Sequence, residues 1–101
     1  MTVDANLIAA AKLARRMKSN EFDEQVKDLL DAALLDLGVA GVVVPAESDP
    51  LVKQAAVTYF LLHFGDPENA DRLERSYNEQ KAQLSTCTGY TNWLEESDLD
   101  G

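Results

Sequence analysis

The sequence predicts an all-α domain: a small four-helix bundle with an extended loop between its second and third helices and a flexible acidic C-terminal tail. Three observations predict it. Apolar residues recur at spacings of three and four over four separate stretches. Each stretch is punctuated by capping residues, by Pro in a first turn or by a Gly stop. A chain of 101 residues with 46% apolar content suits one modest core. The expected organisation is a helical domain over residues 1–89 and a tail over 90–101.

The chain is arranged around Asp49 to Gly65, DPLVKQAAVTYFLLHFG. Asp49 can cap this third helix, Pro50 suits its first turn and Gly65 offers a left-handed stop. Leu51, Val52, Ala55, Ala56, Val57, Tyr59, Phe60, Leu61, Leu62 and Phe64 leave no narrow apolar stripe. Such a helix needs cover on most sides, from its own chain or from another subunit.

The first helix, Asp4 to Met17, is Ala-rich and sets Leu7, Ala10, Ala11 and Ala14 at helical spacing with Ile8 alongside. It ends in Lys12, Arg15, Arg16 and Lys18. These bases complement the negative end of the helix dipole; the sharper reading is a docking patch on Lys12, Arg15 and Arg16 for an acidic partner. A base-reading DNA helix is disfavoured, because no second basic element accompanies it.

Ser19 and Asn20 can cap a second helix, Glu21 to Leu37, with Glu21, Asp23 and Glu24 in its first turn. Phe22, Val26, Leu29, Leu30, Ala33, Leu34 and Leu37 form its apolar side. Asp28, Asp31 and Asp36, opposed by Lys27 alone, are expected on a solvated acidic wall. Gly38 is the expected stop. In the segment that follows, Val42, Val43 and Val44 favour extended backbone and Pro45 limits any strand to an edge. Its valines either tuck onto the bundle or pair with a neighbouring subunit.

Asp66, Pro67 and Glu68 open a fourth helix that runs to about Leu84, with Ala70, Leu73, Tyr77, Leu84 and the stem of Lys81 as its stripe. Glu68 with Arg72 and Asp71 with Arg75 have i, i+4 spacing. Beyond Ser85 the helical period stops. Tyr90, Trp93 and Leu94 stand before Glu95, Glu96, Asp98 and Asp100, either packed on the bundle or docked on a partner.

Eighteen acidic residues against nine basic ones, a formal charge of -9, disfavour non-specific binding to nucleic acid. The single Cys87 excludes an internal disulfide, and a cytosolic origin is the default expectation. No leader and no membrane span is expected. The only imidazole is His63, placed mid-way in apolar sequence and expected as a hydrogen-bonded core residue. With no second catalytic group, no metal-ligand spacing and no phosphate-cradling loop, neither an enzyme nor a cofactor is expected.

The order of these signals resembles a known family. A short N-terminal helix, then EFDEQVKDLLDAALLDLGVAGV, then DPLVKQAAVTYFLLHFGDPENADRLERSYNEQKAQL and a Gly89-Tyr90 tail is similar to the head-tail connector (adaptor, or DNA-packaging) proteins of tailed bacteriophages. The likeness runs from about Leu7 to Tyr90 and is structural throughout; the acidic extension after Leu94 has no counterpart in it. It implies a non-enzymatic helical subunit at the capsid-tail junction of a virion, made in the bacterial host cytoplasm. It further implies a ring, expected to hold twelve copies, that DNA traverses beneath the portal. Its partners would be the portal protein and a tail-proximal head-completion protein, with no specific nucleic-acid binding and no membrane. The interface expected on that reading comprises Val42, Val43, Val44, Tyr59, Phe60, Tyr90, Trp93 and Leu94. An acidic wall around the channel would repel phosphate. The alternative is a small acidic helical regulatory or inhibitor protein that binds a basic partner.

Overall fold

Asp4 opens the first helix by accepting the Leu7 N–H at 2.8 Å on its side chain, and α1 runs Ala5–Arg15. It ends in a turn where Arg16 takes the left-handed conformation (φ 60°), Arg16 N–H reaching the Leu13 carbonyl and Met17 N–H the Lys12 carbonyl. That pattern normally carries Gly, so a side chain here costs about 1 kcal/mol. The computed structural model describes residues 3–42, 49–65 and 67–86, and among them the chain is all-α, with α2 at Asp23–Val39, α3 at Pro50–His63 and α4 at Ala70–Thr86.

Several expected helix ends move. Ser19 does not cap α2; its hydroxyl accepts the Glu21 N–H within the preceding turn, and the N-cap is Phe22 with no side-chain cap. Gly38 lies inside α2. The stop is Gly41, at φ +101°, with Gly41 N–H bonded to the Gly38 carbonyl and Val42 N–H to that of Leu37. This is the Schellman arrangement, and its apolar clasp between the residue after the Gly and the last turn is met by Val42 on Leu37, both fully buried. Asp49 caps α3 as the sequence predicts, accepting from Leu51 and Val52 N–H, with Pro50 in the first turn. Phe64 closes α3 in extended backbone, and Gly65 follows at φ +72°. The fourth helix starts later than expected, at Ala70, the Asn69 carbonyl accepting the Leu73 N–H. Glu68 therefore precedes the helix and has no helical spacing to Arg72, and neither it nor Asp71 forms the expected ion pair among the described residues.

The helices alternate up and down. Lys12 on α1 pairs with Asp23 at the start of α2 at 2.7 Å, and Phe22 meets Phe64 edge-on at a 6.0 Å centroid distance. The C-ends of α1 and α3 thus share one end of the bundle with the N-end of α2. Tyr59 against Tyr77 (5.2 Å, edge-on) lays α4 antiparallel to α3, so α4 starts at that same end and finishes at the other.

At the centre stands α3, packed against each of the other three helices, while α1 also packs on α2. Its small residues Ala55 and Ala56 are fully buried and admit the neighbours closely; Phe60, the largest fully buried side chain, fills the space between them. Leu7, Ala11, Val26, Leu30, Ala33, Leu37, Val52, Tyr77 and Leu84 complete the core. Burying a side chain the size of Phe or Leu is worth about 1.5–3 kcal/mol, so this one helix gathers most of the stabilisation. Of the two sources of cover, the chain's own three short helices supply most of it, leaving Leu51, 47% exposed, as the most open large apolar side chain of α3. Thr58, also buried, satisfies its hydroxyl by donating to the Gln54 carbonyl at 2.9 Å.

Candidate interaction surfaces

Where α1, α2 and α3 converge, the left-handed turn at Arg16 gathers the basic residues into a corner. Of the expected patch Lys12, Arg15 and Arg16, Lys12 is drawn inward. Its Nζ pairs with Asp23 and donates to Asn20 Oδ1 at 2.8 Å, which ties α1 to the start of α2. Arg15 remains exposed and lays its guanidinium over the Phe64 ring, 5.6 Å from the centroid. Arg16 and Lys18 point to solvent, and among the described residues no carboxylate lies within ion-pair reach of Arg15, Arg16 or Lys18. Beside them Leu13 is 78% exposed and Phe22 43% exposed. Phe22, expected on the apolar side of the second helix, is instead half open at its N-cap, and Leu13 is assigned to no face from the sequence.

Along the outside of α2 the surface changes character. Glu24, Asp28 and Asp31 are exposed at helical spacing, Asp31 being paired with Lys27 at 2.8 Å. One turn further on, the same line continues with Leu35, 70% exposed, and Val39, 81% exposed. Sequence reasoning missed this pair for one reason in each case. Leu35 falls off the stripe of Val26, Leu30, Ala33 and Leu37 and is given no role, and Val39 lies past the glycine taken as the stop.

Asp36, expected on the acidic wall, instead turns inward. Its Oδ2 accepts the Tyr77 hydroxyl at 2.5 Å and Lys81 Nζ at 3.1 Å, fastening α4 to α2 across α3. Lys81 Nζ also stands over the Tyr77 ring at 5.2 Å, and Tyr59 stacks obliquely on His63 at 4.2 Å. A shallow recess of about 360 Å³ opens here, lined by Asp36, Tyr59, Leu62, His63, Glu74 and Tyr77 among others. The Tyr77 hydrogen bond, with help from Lys81, holds the Asp36 carboxyl below its usual range. Burial first, and then the Asp36 hydrogen bond and charge, push the Tyr77 hydroxyl well above its usual range. Both shifts lead away from neutrality, so Asp36 stays a carboxylate and Tyr77 keeps its proton. A general acid or base needs the opposite tuning, and the cluster works as a strut.

His63 is corrected as well. It is exposed at the last turn of α3, with its ring against Tyr59 instead of in the core. Of the expected interface, Phe60 and Val42 are fully buried within the chain's own core, Phe60 by three flanking helices and Val42 by its clasp on Leu37, so neither offers surface to a partner. Tyr59 is half-buried at the recess. Val43, Val44, Tyr90, Trp93 and Leu94 lie outside the described residues. Among those described, no cluster of His, Cys, Asp or Glu could hold a metal ion, and no helix is long and apolar enough to cross a membrane. No family model, curated protein or solved structure matches the chain.

Proposed function

We propose that this chain is a structural adaptor at the head-tail junction of a tailed bacteriophage, a non-enzymatic subunit that joins a ring under the capsid portal. The order of helical segments is what the resemblance rests on, and the all-α architecture is compatible with it. One observation carries the reading to a surface: Leu35 and Val39, one turn apart on α2 and each more than two-thirds exposed. Large apolar side chains side by side on a small domain mark a protein-protein contact more often than a solvated face. In this reading the interface moves from the third helix to the second, and Asp28 and Asp31 line the approach to it. The strut at Asp36 fits a rigid scaffold, since neither ionisable partner is tuned to pass a proton.

The test is electron microscopy and co-sedimentation of the purified chain mixed with portal rings. The wild type should add a collar of density and sediment with the portal. A Leu35→Asp, Val39→Asp variant should keep its helical signal and lose the collar. Failure of the wild type to bind portal under all conditions would refute the assignment. A second reading draws on the exposed acidic line Glu24, Asp28 and Asp31 on α2. It makes the chain a regulator that masks a basic protein, and a pull-down from infected cells separates the two by returning portal protein or a basic target.

A further inference from the structure

The molecule is electrically lopsided. Four of its nine basic residues fall between positions 12 and 18, and the sequence after Lys81 has no basic residue at all, while it holds Glu95, Glu96, Asp98 and Asp100. At the C-end of α1, Arg15, Arg16 and Lys18 form no ion pair among the described residues, Arg15 and Phe22 both meet Phe64, and Leu13 is open on α1 nearby in sequence. The C-terminal segment offers the complementary set in one short run: Tyr90, Trp93 and Leu94 as apolar anchors, followed directly by the four acids. The other five cations make no comparable cluster: one lies on α2, one on α3 and three are spread along α4. Lys27 and Lys81 are paired to Asp31 and Asp36, and Arg75 stands among Asp71, Glu74 and Glu79 in a concavity along α4.

Geometry decides which copy supplies the segment. The basic corner lies beside Phe64, at the end of the bundle where α4 begins, whereas the C-terminal segment departs from Thr86 at the opposite end. Seventeen residues of α4 put those ends about 25 Å apart at 1.5 Å per residue. Trp93 is seven positions beyond Thr86, a reach of about 25 Å only at full extension, and Tyr90 falls well short at about 14 Å. Within one chain only a fully stretched segment brings Trp93 to the corner, at a cost of about 1 kcal/mol for each residue held extended, and Tyr90 still falls short, so a second copy is the favoured source. We infer that the C-terminal segment of one copy, residues 87–101, docks on the corner formed by Leu13, Arg15, Arg16, Lys18 and Phe22 of a second copy. The contact is head-to-tail, so each copy keeps one free corner and one free segment for further neighbours. Exposed charges supply much of the attraction, so added salt weakens it. The inference concerns copies of this chain alone and does not rest on the phage assignment.

Trp93 is the only tryptophan and reports directly on the docking. In the wild type its emission should shift to the blue as concentration rises from about 1 to several hundred µM, in step with a rising sedimentation coefficient, and salt should reverse both. Arg16→Glu combined with Lys18→Glu leaves the segment intact and spoils the corner, whereas Trp93→Ala spoils the segment and leaves the corner. Each variant alone should stay monomeric with an unchanged far-UV circular dichroism spectrum. Mixed, they should associate, and all fluorescence then comes from the charge-reversed chain, whose emission should move to the blue. No spectral change on mixing would overturn the proposal. So would a wild-type emission already blue at every dilution and without association, which is docking within one chain. Leu35 and Val39 take no part in either variant, so this failure leaves the portal experiment untouched.

Discussion

Replacing Tyr77 by Phe removes the hydroxyl that joins α4 to α2 and leaves the ring in place. The lost bond is short, 2.5 Å, and made to a carboxylate. Hydrogen bonds to charged groups contribute about 1.5–3 kcal/mol, and the Asp36 side chain keeps 38% of its surface in water and Lys81 as a partner, which brings the expected loss to about 1–2 kcal/mol. For a domain this size that lowers Tm by about 5–12 °C. The pH dependence is more diagnostic than the size. The folded Tyr77 hydroxyl has a raised pKa, so its contribution is complete below the unfolded value of about 10 and is lost as pH climbs beyond that. Asp36 has a lowered pKa, so its contribution is complete above the unfolded value of about 3.9 and is lost as pH falls below it. Urea unfolding followed by circular dichroism should show the wild type ahead of Tyr77→Phe at pH 7, with the gap narrowing above pH 10 and again in acid. Two stability curves that run parallel from pH 4 to pH 11, or differ by less than about 0.3 kcal/mol at pH 7, would refute the strut.

Two left-handed positions should respond in opposite directions. Arg16→Gly relieves a side chain at φ 60° and should stabilise by about 0.5–1 kcal/mol, whereas Gly41→Ala places a Cβ at φ +101° and should cost about 1 kcal/mol although the space around it is open. Differential scanning calorimetry resolves both. In the core, Phe60→Ala should cost about 3–5 kcal/mol and can leave the chain unfolded, while Leu35→Ala should change unfolding by less than about 0.5 kcal/mol, because its side chain is mostly in water already. Equal losses at both positions, read by chemical denaturation, would mean that α2 and not α3 is the central helix.

Much of the fold is legible in the residue order because helix signals are local. Period, caps and prolines place α1 to α4 to within a few residues, and Asp4 and Asp49 act as caps through their own side chains. What sequence could not reveal is direction. Asp36 has the spacing of a solvated wall, and only the approach of Tyr77, 41 positions away, turns it inward. Gly38 and Gly41 are both plausible stops, and the choice depends on whether Val42 finds Leu37 across the turn. The same limit applies to the surfaces. An apolar residue in a leucine run carries no mark of whether it faces a neighbour, so from the sequence Leu35 is assigned to neither core nor surface and Phe60 passes for surface. The basic cluster was visible, but the diversion of Lys12 to Asp23 followed from how α1 and α2 meet.

The clasp of Val42 on Leu37 fixes where the backbone leaves α2, and the Asp49 cap fixes where it re-enters at α3. With both ends held in this way, lengthening the connection should cost about 0.6 kcal/mol of loop closure for each doubling. A short epitope or fluorophore-binding tag inserted after Pro45 would label the chain while leaving the strut, the basic corner and the Leu35–Val39 pair as they are.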